Sequence, residues 1–257
     1  MIFQILSDLH LERIKDKRSF LKELKSNADV VLMAGDIMSF FDAEETIKII
    51  SEVFHDQTVI FIAGNHEYYG TFLHKANDIF KKESDKFENV QFLNNDYVNF
   101  GDVILLGTCG WWDNFNETGC YMMNDFIHIN DLRENKKAGL EYSTISKNFL
   151  IESFEKFYDK KIIVMTHNAP LHDFIPGKYI GSPLNPFFAN EWGYMIKKYE
   201  PVIWVSGHLH EYKFFYKYNT LFVENCFGYY KIDENPNFDK NLLIKVNINI
   251  GDKNEKI

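Results

Sequence analysis

The chain has 257 residues, which suits one large α/β domain with ample material for a buried core. Its net charge of -9 disfavours broad binding to a nucleic-acid backbone, which requires a basic surface. Its cysteines are widely spaced, offer no zinc site of sulfur ligands and favour a reducing compartment. No apolar run approaches the ~18 residues of a membrane span, and the first strand lacks the basic flank of a signal peptide. We therefore expect a cytoplasmic protein that forms no stable complex with nucleic acid or membrane.

The first part of the chain alternates short apolar runs with amphipathic segments. This pattern predicts strands at residues 2–6, 29–33 and 58–62 and helices at 18–27 and 43–55. Asp42 and Glu45 have the spacing of a capping box, which would open the second helix. The order βαβαβ predicts parallel strands joined by right-handed crossovers.

Side chains of the kind that bind metals follow each of these three strands. Asp8 and His10 come directly after the first strand, and Asp36 comes after the second. Asn65 and His66 follow the third. In open α/β sheets, ligands bind at the carboxyl edge of the strands. Taken singly, each cluster has an ordinary alternative, because an Asp after a strand also caps a helix and polar residues are typical of turns.

The rest of the chain mixes helices and strands. We expect helices at 71–85, 141–158 and 189–199 and strands at 90–93, 102–106, 161–165, 201–206, 213–216, 220–223 and 242–250. The last three strands are predicted to be antiparallel. No repeat or linker divides the sequence, so residues 1–257 are expected to form a single domain.

Two segments lack regular periodicity and are candidate walls of a binding site. Residues 108–140 mix aromatic, amide and carboxyl side chains, which is typical either of a cap over the site or of a packed surface insertion. Residues 171–188 form a loop that contains Pro and Gly and is a second candidate wall. The candidate substrate contacts in these segments are Trp112, Asn124, Asp125 and His172.

Three further histidines follow later strands. His167 comes after the strand at 161–165, and His208 and His210 lie in a Gly-His-Leu-His turn after the strand at 201–206. Carboxylates, an amide and imidazoles without thiolates suit Mn²⁺, Zn²⁺, Fe or Ni²⁺ better than Ca²⁺ or Mg²⁺ alone. The seven ligand candidates exceed what one such ion binds but fit two ions that share a carboxylate: Asp8, His10, Asp36, Asn65, His167, His208 and His210.

These blocks resemble those of the calcineurin-like metallophosphoesterase superfamily. The matching blocks are Asp8-Leu9-His10, Gly35-Asp36, Gly64-Asn65-His66-Glu67, His167 and Gly207-His208-Leu209-His210. All five occur in the family's order, each at a predicted strand end, and they span residues 8–210. A trailing segment at 225–229 is similar to the Asn-Pro-x-Gly-Tyr of small bacterial members, from which Cys226 departs. The resemblance implies an α/β fold, a four-layer αββα sandwich of two mixed β-sheets flanked by helices.

The resemblance also implies a role for each residue of the blocks. One metal ion would be held by Asp8, His10, Asp36 and His210. Asp36 would bridge to a second ion, completed by Asn65, His167 and His208. His66 would lie beside the ions, where it could protonate the leaving group or hold the phosphate. Mn²⁺ is the metal expected most at the two positions, and Fe, Zn²⁺ and Ni²⁺ are the alternatives.

The implied activity is hydrolysis of a small phosphate ester by a metal-bound hydroxide, with an imidazole as proton donor. No arginine clamp for a dianionic phosphate is visible near the blocks, which favours a phosphodiester such as a cyclic nucleotide or a nucleotide derivative. A phosphomonoesterase or protein phosphatase is the main alternative. A catalytically silent scaffold and a DNA nuclease are disfavoured by the intact ligand set and by the acidic charge, respectively.

Overall fold

The protein folds into two large β-sheets with flanking helices, as seen in a computed structural model that describes residues 1–247. The strands are β1 Ile2–Leu6, β2 Val30–Ala34, β3 Thr58–Ile62, β4 Val90–Phe92, β5 Asp96–Asn99, β6 Val103–Gly107, β7 Lys161–Met165, β8 Ile203–Ser206, β9 Tyr212–Lys217, β10 Thr220–Asn225, β11 Gly228–Tyr229, β12 Asp233–Glu234 and β13 Leu243–Lys245. The helices are α1 Lys17–Leu24, α2 Ala43–Val53, α3 Leu73–Ser84, α4 Glu117–Cys120, α5 Asp125–His128, α6 Asn130–Glu134, α7 Ala138–Lys156, α8 Asn185–Phe188 and α9 Gly193–Tyr199. None of these helices is both long and apolar enough to cross a membrane.

Each large sheet has a parallel centre, with antiparallel pairing at one edge of the first sheet and at both edges of the second. The first sheet has the order β13-β1-β2-β3-β4, in which β13 runs antiparallel to β1 and the other pairs are parallel. The second sheet has the order β5-β6-β7-β8-β10-β9, in which β5 and β9 run antiparallel to their neighbours. Parallel neighbours require crossover connections, and the helices in these connections cover the outer faces of the sheets.

Alternate residues of the central strands face two different cores. In β2, Val30 and Leu32 pack between the two sheets, whereas Val31 and Met33 pack on the outer side with the helices α1 to α3. Because both faces of the strand are buried, its sequence is a continuous apolar run. A third core, which includes Leu150 of α7, covers the outer face of the second sheet. The order helix, sheet, sheet, helix confirms the predicted four-layer sandwich.

Most elements begin and end within a few residues of the predicted positions, and the differences have local causes. The helix predicted at 189–199 begins only at Gly193, because Ala189 forms a β-bridge with Ala169. The sequence does not predict β5, a polar edge strand that lacks an apolar run. Of the strand predicted at 242–250, positions 248–250 lie outside the described residues.

One local prediction is wrong, and a second is confirmed only in part. Asp42 precedes α2, but its carboxylate makes no capping hydrogen bond with the helix and accepts one from Lys17 instead. The predicted capping box with Glu45 is therefore not formed. The predicted antiparallel pairing of the last strands is confirmed for β9 with β10 and for β13 with β1, but β10 also runs parallel to β8. The reason is that β10 folds back between these two strands.

Residues 108–140 contain the three short helices α4 to α6. The side chains of Trp111 and Trp112 belong to the core on the outer side of the first sheet. By contrast, Tyr121 and Met122 are exposed. The segment is therefore anchored by its own aromatic residues, as expected of a packed insertion. Its action as a cap stays a prediction.

Candidate active site

The turns that follow the central strands meet at one edge of the two sheets. The backbone N–H of Asp8 donates to the carbonyl of Gly35 over 3.0 Å, which joins the turns after β1 and β2. In the second sheet, the N–H of Gly207 donates to the carbonyl of His167 over 2.9 Å. The N–H of His208 donates to the carboxylate of Asp8, which joins the two sheets. These hydrogen bonds between loops bring the predicted ligands together.

Most of the candidate ligands have an unusual backbone conformation. Positive φ angles occur at Asp8 (54°), His10 (44°), Asp36 (54°), His208 (75°) and His210 (53°). Residues other than glycine rarely adopt this left-handed region, and such strain concentrates at functional sites, where the surrounding structure enforces it. The conformation of the ligand turns is therefore set by tertiary contacts and not by local preference.

Two glycines of the blocks are required by close packing. A Cβ at Gly64 would lie 2.2 Å from Oδ1 of Asp36 and 2.6 Å from Nε2 of His167. A Cβ at Gly207 would lie 2.6 Å from Oδ2 of Asp8. These separations are far shorter than a van der Waals contact, so any larger residue would displace the candidate ligands.

One group of candidate ligands consists of Asp8, His10 and His210, whose ligand atoms lie within 4.8 Å of one another. The Nε2 atoms of His10 and His210 are 3.2 Å apart. Nε2 of His210 is 3.5 Å from Oδ1 of Asp8. Oδ2 of Asp36 lies 3.9 Å from Nε2 of His10 and so borders the group. These are the four residues that the resemblance assigns to the first metal ion.

A second group consists of Asp36, His167 and His208, which are all buried. Nε2 of His167 is 3.3 Å from Oδ1 of Asp36 and 3.1 Å from Oδ1 of Asn65. The two oxygens of Asp36 therefore face different groups, with Oδ1 towards the second and Oδ2 towards the first. This is the position that a bridging ligand requires.

Backbone carbonyls fix which imidazole nitrogen remains for a ligand. Nδ1 of His167 is 2.9 Å from the carbonyl of Ala34, and Nε2 of His208 is 3.2 Å from the carbonyl of Phe187. Because a carbonyl only accepts, the nitrogen that faces it carries the proton. Nε2 of His167 and Nδ1 of His208 then remain as the nitrogens that could bind a metal ion. Hydrogen bonds from the opposite nitrogen hold metal-binding rings in place.

Burial and mutual charge set the protonation of these groups. Burial by itself would raise the pKa of Asp36. The charges of His167 and His66 outweigh this effect and hold that pKa well below its ordinary value. Burial would lower the pKa of His167, but the carboxylates of Asp36 and Asp8 prevail and raise it. Burial, supported by His167, lowers the pKa of His208 to about 3. Metal ions bind an ionised carboxylate and a neutral imidazole, so an ion at this position would take the place of the proton that the raised pKa keeps on Nε2 of His167.

His66 lies beside both groups and faces the pocket. Its Nε2 is 3.9 Å from Oδ2 of Asp36 and 3.1 Å from the hydroxyl of Tyr229. Its ring stacks on that of Tyr69 with a centroid distance of 4.4 Å. Burial lowers its pKa, and Asp36 offsets part of that effect. It thus lies next to the candidate ligands, and its role as proton donor stays a prediction.

Glu12 is a carboxylate to which the sequence reading gave no role. Its Oε1 is 3.3 Å from Nδ1 of His10 and 4.0 Å from Nδ1 of His66. A carboxylate that accepts from the second nitrogen of a ligating histidine orients the ring. The available signal was its position two residues after His10, in the same turn.

Glu67 is a second carboxylate without a predicted role. It is fully buried and accepts backbone hydrogen bonds of 2.7–3.1 Å from the turn at residues 36–38 and from Gly64. Burial, together with Asp36, raises its pKa to about 8. Glu67 thus ties the turn after β2 to the turn after β3, and its position directly after His66 was the signal for it.

A cavity of about 430 Å³ opens above the candidate ligands. We call the candidate ligands and His66 the floor of this pocket. We call the lining residues of segments 108–140 and 171–188 its walls. The walls are Met122, Met123, Asn124, Asp125, Ile175, Tyr179, Ser182, Leu184, Asn185 and Phe188.

The four predicted substrate contacts lie in different places. Asn124 and Asp125 line the pocket, and burial raises the pKa of Asp125 to about 6. The prediction for Trp112 is corrected, because its side chain is 1% exposed and its ring packs 5.1 Å from that of Phe187 in the core. The prediction for His172 is corrected as well, because it is exposed beside Glu191 and lies outside the lining of the pocket.

The residues present fit two metal ions. Two buried carboxylates, an amide oxygen and four imidazoles converge, and Asp36 lies between the two groups. Oxygen and nitrogen donors without sulfur suit first-row divalent metals. The buried carboxylates of Asp8 and Asp36 repel one another, and bound cations would compensate this repulsion.

The sequence profile of the calcineurin-like phosphoesterase family matches residues 1–212. The chain therefore belongs to this family, whose members hydrolyse phosphate esters. Among proteins with curated descriptions, none matches the chain.

Solved structures with the same architecture include a phosphopantetheinyl hydrolase from Mycobacterium tuberculosis. It has a TM-score of 0.71 and 16% identity, and the match covers 88% of this chain and 89% of that one. A protein of Thermus thermophilus has a TM-score of 0.55 and 13% identity, with coverage of 88% of both chains. At these identities the likeness supports the fold alone.

Proposed function

We propose that the protein is a two-metal phosphoesterase that acts on a small phosphodiester. The observation that carries the proposal is the position of Asp36, whose Oδ1 lies 3.3 Å from His167 and whose Oδ2 lies 3.9 Å from His10. One carboxylate between two groups of donors is the arrangement expected of two ions that share a ligand. We expect Mn²⁺ first, and Fe, Zn²⁺ or Ni²⁺ also suit these donors.

In this proposal the floor binds the metal ions, and His66 donates a proton to the leaving group. Asp8, His10, His210 and Asp36 would hold the first ion. The second would be held by Asp36, Asn65, His167 and His208. When bound, two such ions lower the pKa of a water molecule and neutralise the phosphoryl oxygens.

His66 is the proposed proton donor to the leaving-group oxygen. Its Nε2 faces the pocket, where the hydroxyl of Tyr229 lies 3.1 Å away. Stacking on Tyr69 restrains the ring, and Glu12 lies 4.0 Å from the other nitrogen. A positioned imidazole of this kind contributes roughly 10²–10⁴-fold to turnover as a general acid.

The lining of the pocket favours a diester over a monoester. None of the described residues that line it is a lysine or an arginine, and Asp125 and Asp233 add negative charge. Arg13 is not among the lining residues, and its guanidinium lies over the ring of Tyr229 at 4.5 Å. A terminal phosphate dianion is usually held by such cations, whereas a diester carries a single charge. The apolar and aromatic walls suit an organic group on each side of the phosphate, as in a nucleotide-type substrate.

The test is hydrolysis of p-nitrophenyl phosphate and bis-p-nitrophenyl phosphate by protein stripped of metal and reloaded with Mn²⁺, Zn²⁺, Ni²⁺ or Mg²⁺. We expect metal-dependent turnover with a higher kcat/KM for the diester. A preference for the monoester would overturn the diester assignment and favour a phosphatase. No turnover with any metal, despite two bound ions, would contradict the enzymatic proposal and favour a scaffold.

A further inference from the structure

A carboxylate from the segment 108–140 reaches the floor of the pocket. Asp125 begins α5 and is 3% exposed, and it lies against Asn65 although 60 positions separate the two residues. Its Oδ1 accepts a hydrogen bond of 2.8 Å from Nδ2 of Asn65 and one of 2.7 Å from the hydroxyl of Tyr69. The walls therefore supply a buried group that contacts a candidate metal ligand directly.

This contact decides which end of the Asn65 amide faces the metal position. An asparagine side chain carries an oxygen that can ligate a cation and an NH₂ group that cannot. An ionised carboxylate only accepts hydrogen bonds, so Asp125 selects the orientation in which the NH₂ group points to it. The oxygen then points to the opposite side, where it lies 3.1 Å from Nε2 of His167.

Tyr69 extends the same unit to the proposed proton donor. Its hydroxyl donates to Asp125, and its ring stacks on His66 with an interplanar angle of 26°. The hydrogen bond from Tyr69 occupies the same oxygen that Asn65 uses, which holds the carboxylate in one position. Asp125 is absent from the groups of residues 1–247 whose ligand atoms lie within 4.8 Å of one another, so a direct role as ligand is not indicated.

We propose that Asp125 is a positioning residue that fixes the amide of Asn65 with its oxygen towards the second metal position, while Tyr69 holds the carboxylate of Asp125. The inference rests on the proposed function, because it takes Asn65 to be a metal ligand. It explains why the segment 108–140 carries a buried carboxylate beside a floor that already contains two others. It also gives Asp125 a role that needs no contact with substrate.

The test is calorimetric titration of Mn²⁺ into the metal-free protein and its variants. Asp125→Asn should weaken one of the two binding events by roughly 10–100-fold, the usual effect of losing a group that orients a metal ligand. Tyr69→Phe removes only the supporting hydroxyl and should weaken the same event by about two- to tenfold. The Tyr69→Phe result decides the matter if Asp125→Asn does not fold, which thermal unfolding would reveal.

The chain offers a matched control in the same segment. Asp131 accepts a hydrogen bond from the hydroxyl of Tyr142 and one of 2.8 Å from the N–H of Leu73, away from the floor. Asp131→Asn and Tyr142→Phe therefore make the same chemical changes as the test variants. Both should leave Mn²⁺ binding unchanged.

A double variant separates orientation of the amide from a merely structural role. Asn65→Asp combined with Asp125→Asn exchanges the donor and the acceptor, so the new amide at position 125 can donate to the new carboxylate at position 65. Both oxygens of that carboxylate can ligate, so we expect Mn²⁺ affinity to recover most of what Asp125→Asn loses.

Two results would overturn the inference: unchanged Mn²⁺ binding by Asp125→Asn and Tyr69→Phe, or a double variant that binds no better than Asp125→Asn. Failure of the proposed function has a different signature. In that case the unaltered protein itself would bind fewer than two ions, or would bind two ions without turning over either ester.

Discussion

The floor and the walls of the pocket are built in different ways. The floor consists of turns after parallel strands, with strained backbone at Asp8 and Asp36 and a buried carboxylate, Glu67, that ties two turns together. The walls consist of short helices and turns, with side chains such as Met122 and Tyr179 that are 58% and 53% exposed. We therefore expect the floor to fix the chemistry and the less buried walls to determine the choice of substrate.

The largest effect is expected at the centre of the floor. Asp36→Ala should abolish binding of both ions, because both groups of donors share this carboxylate. Turnover should then fall by at least about 10³-fold, since the ions supply several kcal/mol of transition-state stabilisation. Metal content by mass spectrometry and the kcat for the diester measure the two effects.

Asp16→Ala is the control for this change, because Asp16 is exposed and caps α1 through the N–H of Ser19. It should retain both ions and lower the stability only slightly, because one exposed capping hydrogen bond is lost. Two ions still bound to Asp36→Ala would break the assignment of a bridging ligand.

The next effect separates proton transfer from metal binding within the floor. His66→Ala should reduce kcat by roughly 10²–10⁴-fold with both ions retained, because the imidazole is a proposed general acid and not a ligand. His74→Ala, at an exposed position of α3, should leave kcat unchanged. Loss of an ion from His66→Ala would show instead that this histidine belongs to the ligand set.

Substitutions in the walls should have smaller effects, and these should appear in KM and not in kcat. Tyr179→Ala should raise KM for bis-p-nitrophenyl phosphate by about two- to tenfold with little change in kcat, because an aromatic contact contributes about 0.5–1.5 kcal/mol of uniform binding. Tyr158→Ala, which is exposed and away from the pocket, is the control. A fall in kcat as large as that of His66→Ala would erase the distinction between floor and walls.

The smallest effect concerns the stability of the folded protein and a buried carboxyl group, that of Glu224. Glu224 is fully buried, and burial raises the pKa of its carboxyl well above the ordinary value. Above about pH 4.5 the unfolded chain releases this proton while the folded protein keeps it, so stability decreases as pH rises. Glu224→Gln removes the effect. The free energy of unfolding in urea should therefore favour the variant increasingly from pH 5 to pH 8.

An exposed glutamate provides the reference for that measurement. Glu155→Gln, at a largely exposed position of α7, should give a curve parallel to that of the unaltered protein. Parallel curves for Glu224→Gln as well would mean that Glu224 is ionised in the folded state.

The floor could be predicted from sequence because its signals are local. Each ligand follows an apolar strand within a few residues, and parallel strands place their carboxyl ends at one edge. The positive φ angles at Asp8 and His210 could not be predicted, because contacts between distant turns enforce them. No role was predicted for Glu12, because a single carboxylate next to a motif has no pattern of its own. Glu67 belongs to the third block, but the sequence does not show that its carboxylate joins two turns.

The walls could not be predicted in the same way. Aromatic residues in an aperiodic segment pack either into a core or around a site, and sequence alone does not separate the two. The side chain of Trp112 therefore lies in the core, whereas Asp125 of the same segment contacts Asn65 on the floor. The pairing of Asp125 with Asn65 joins positions far apart in the chain, which only the fold brings together.

The most direct test of the account is a crystal structure of the Mn²⁺-loaded protein with anomalous scattering recorded for manganese. We expect two peaks on the floor, one among Asp8, His10 and His210 and the other among Asn65, His167 and His208, with Asp36 between them. A single peak, or peaks that do not contact Asp36, would contradict the two-metal assignment.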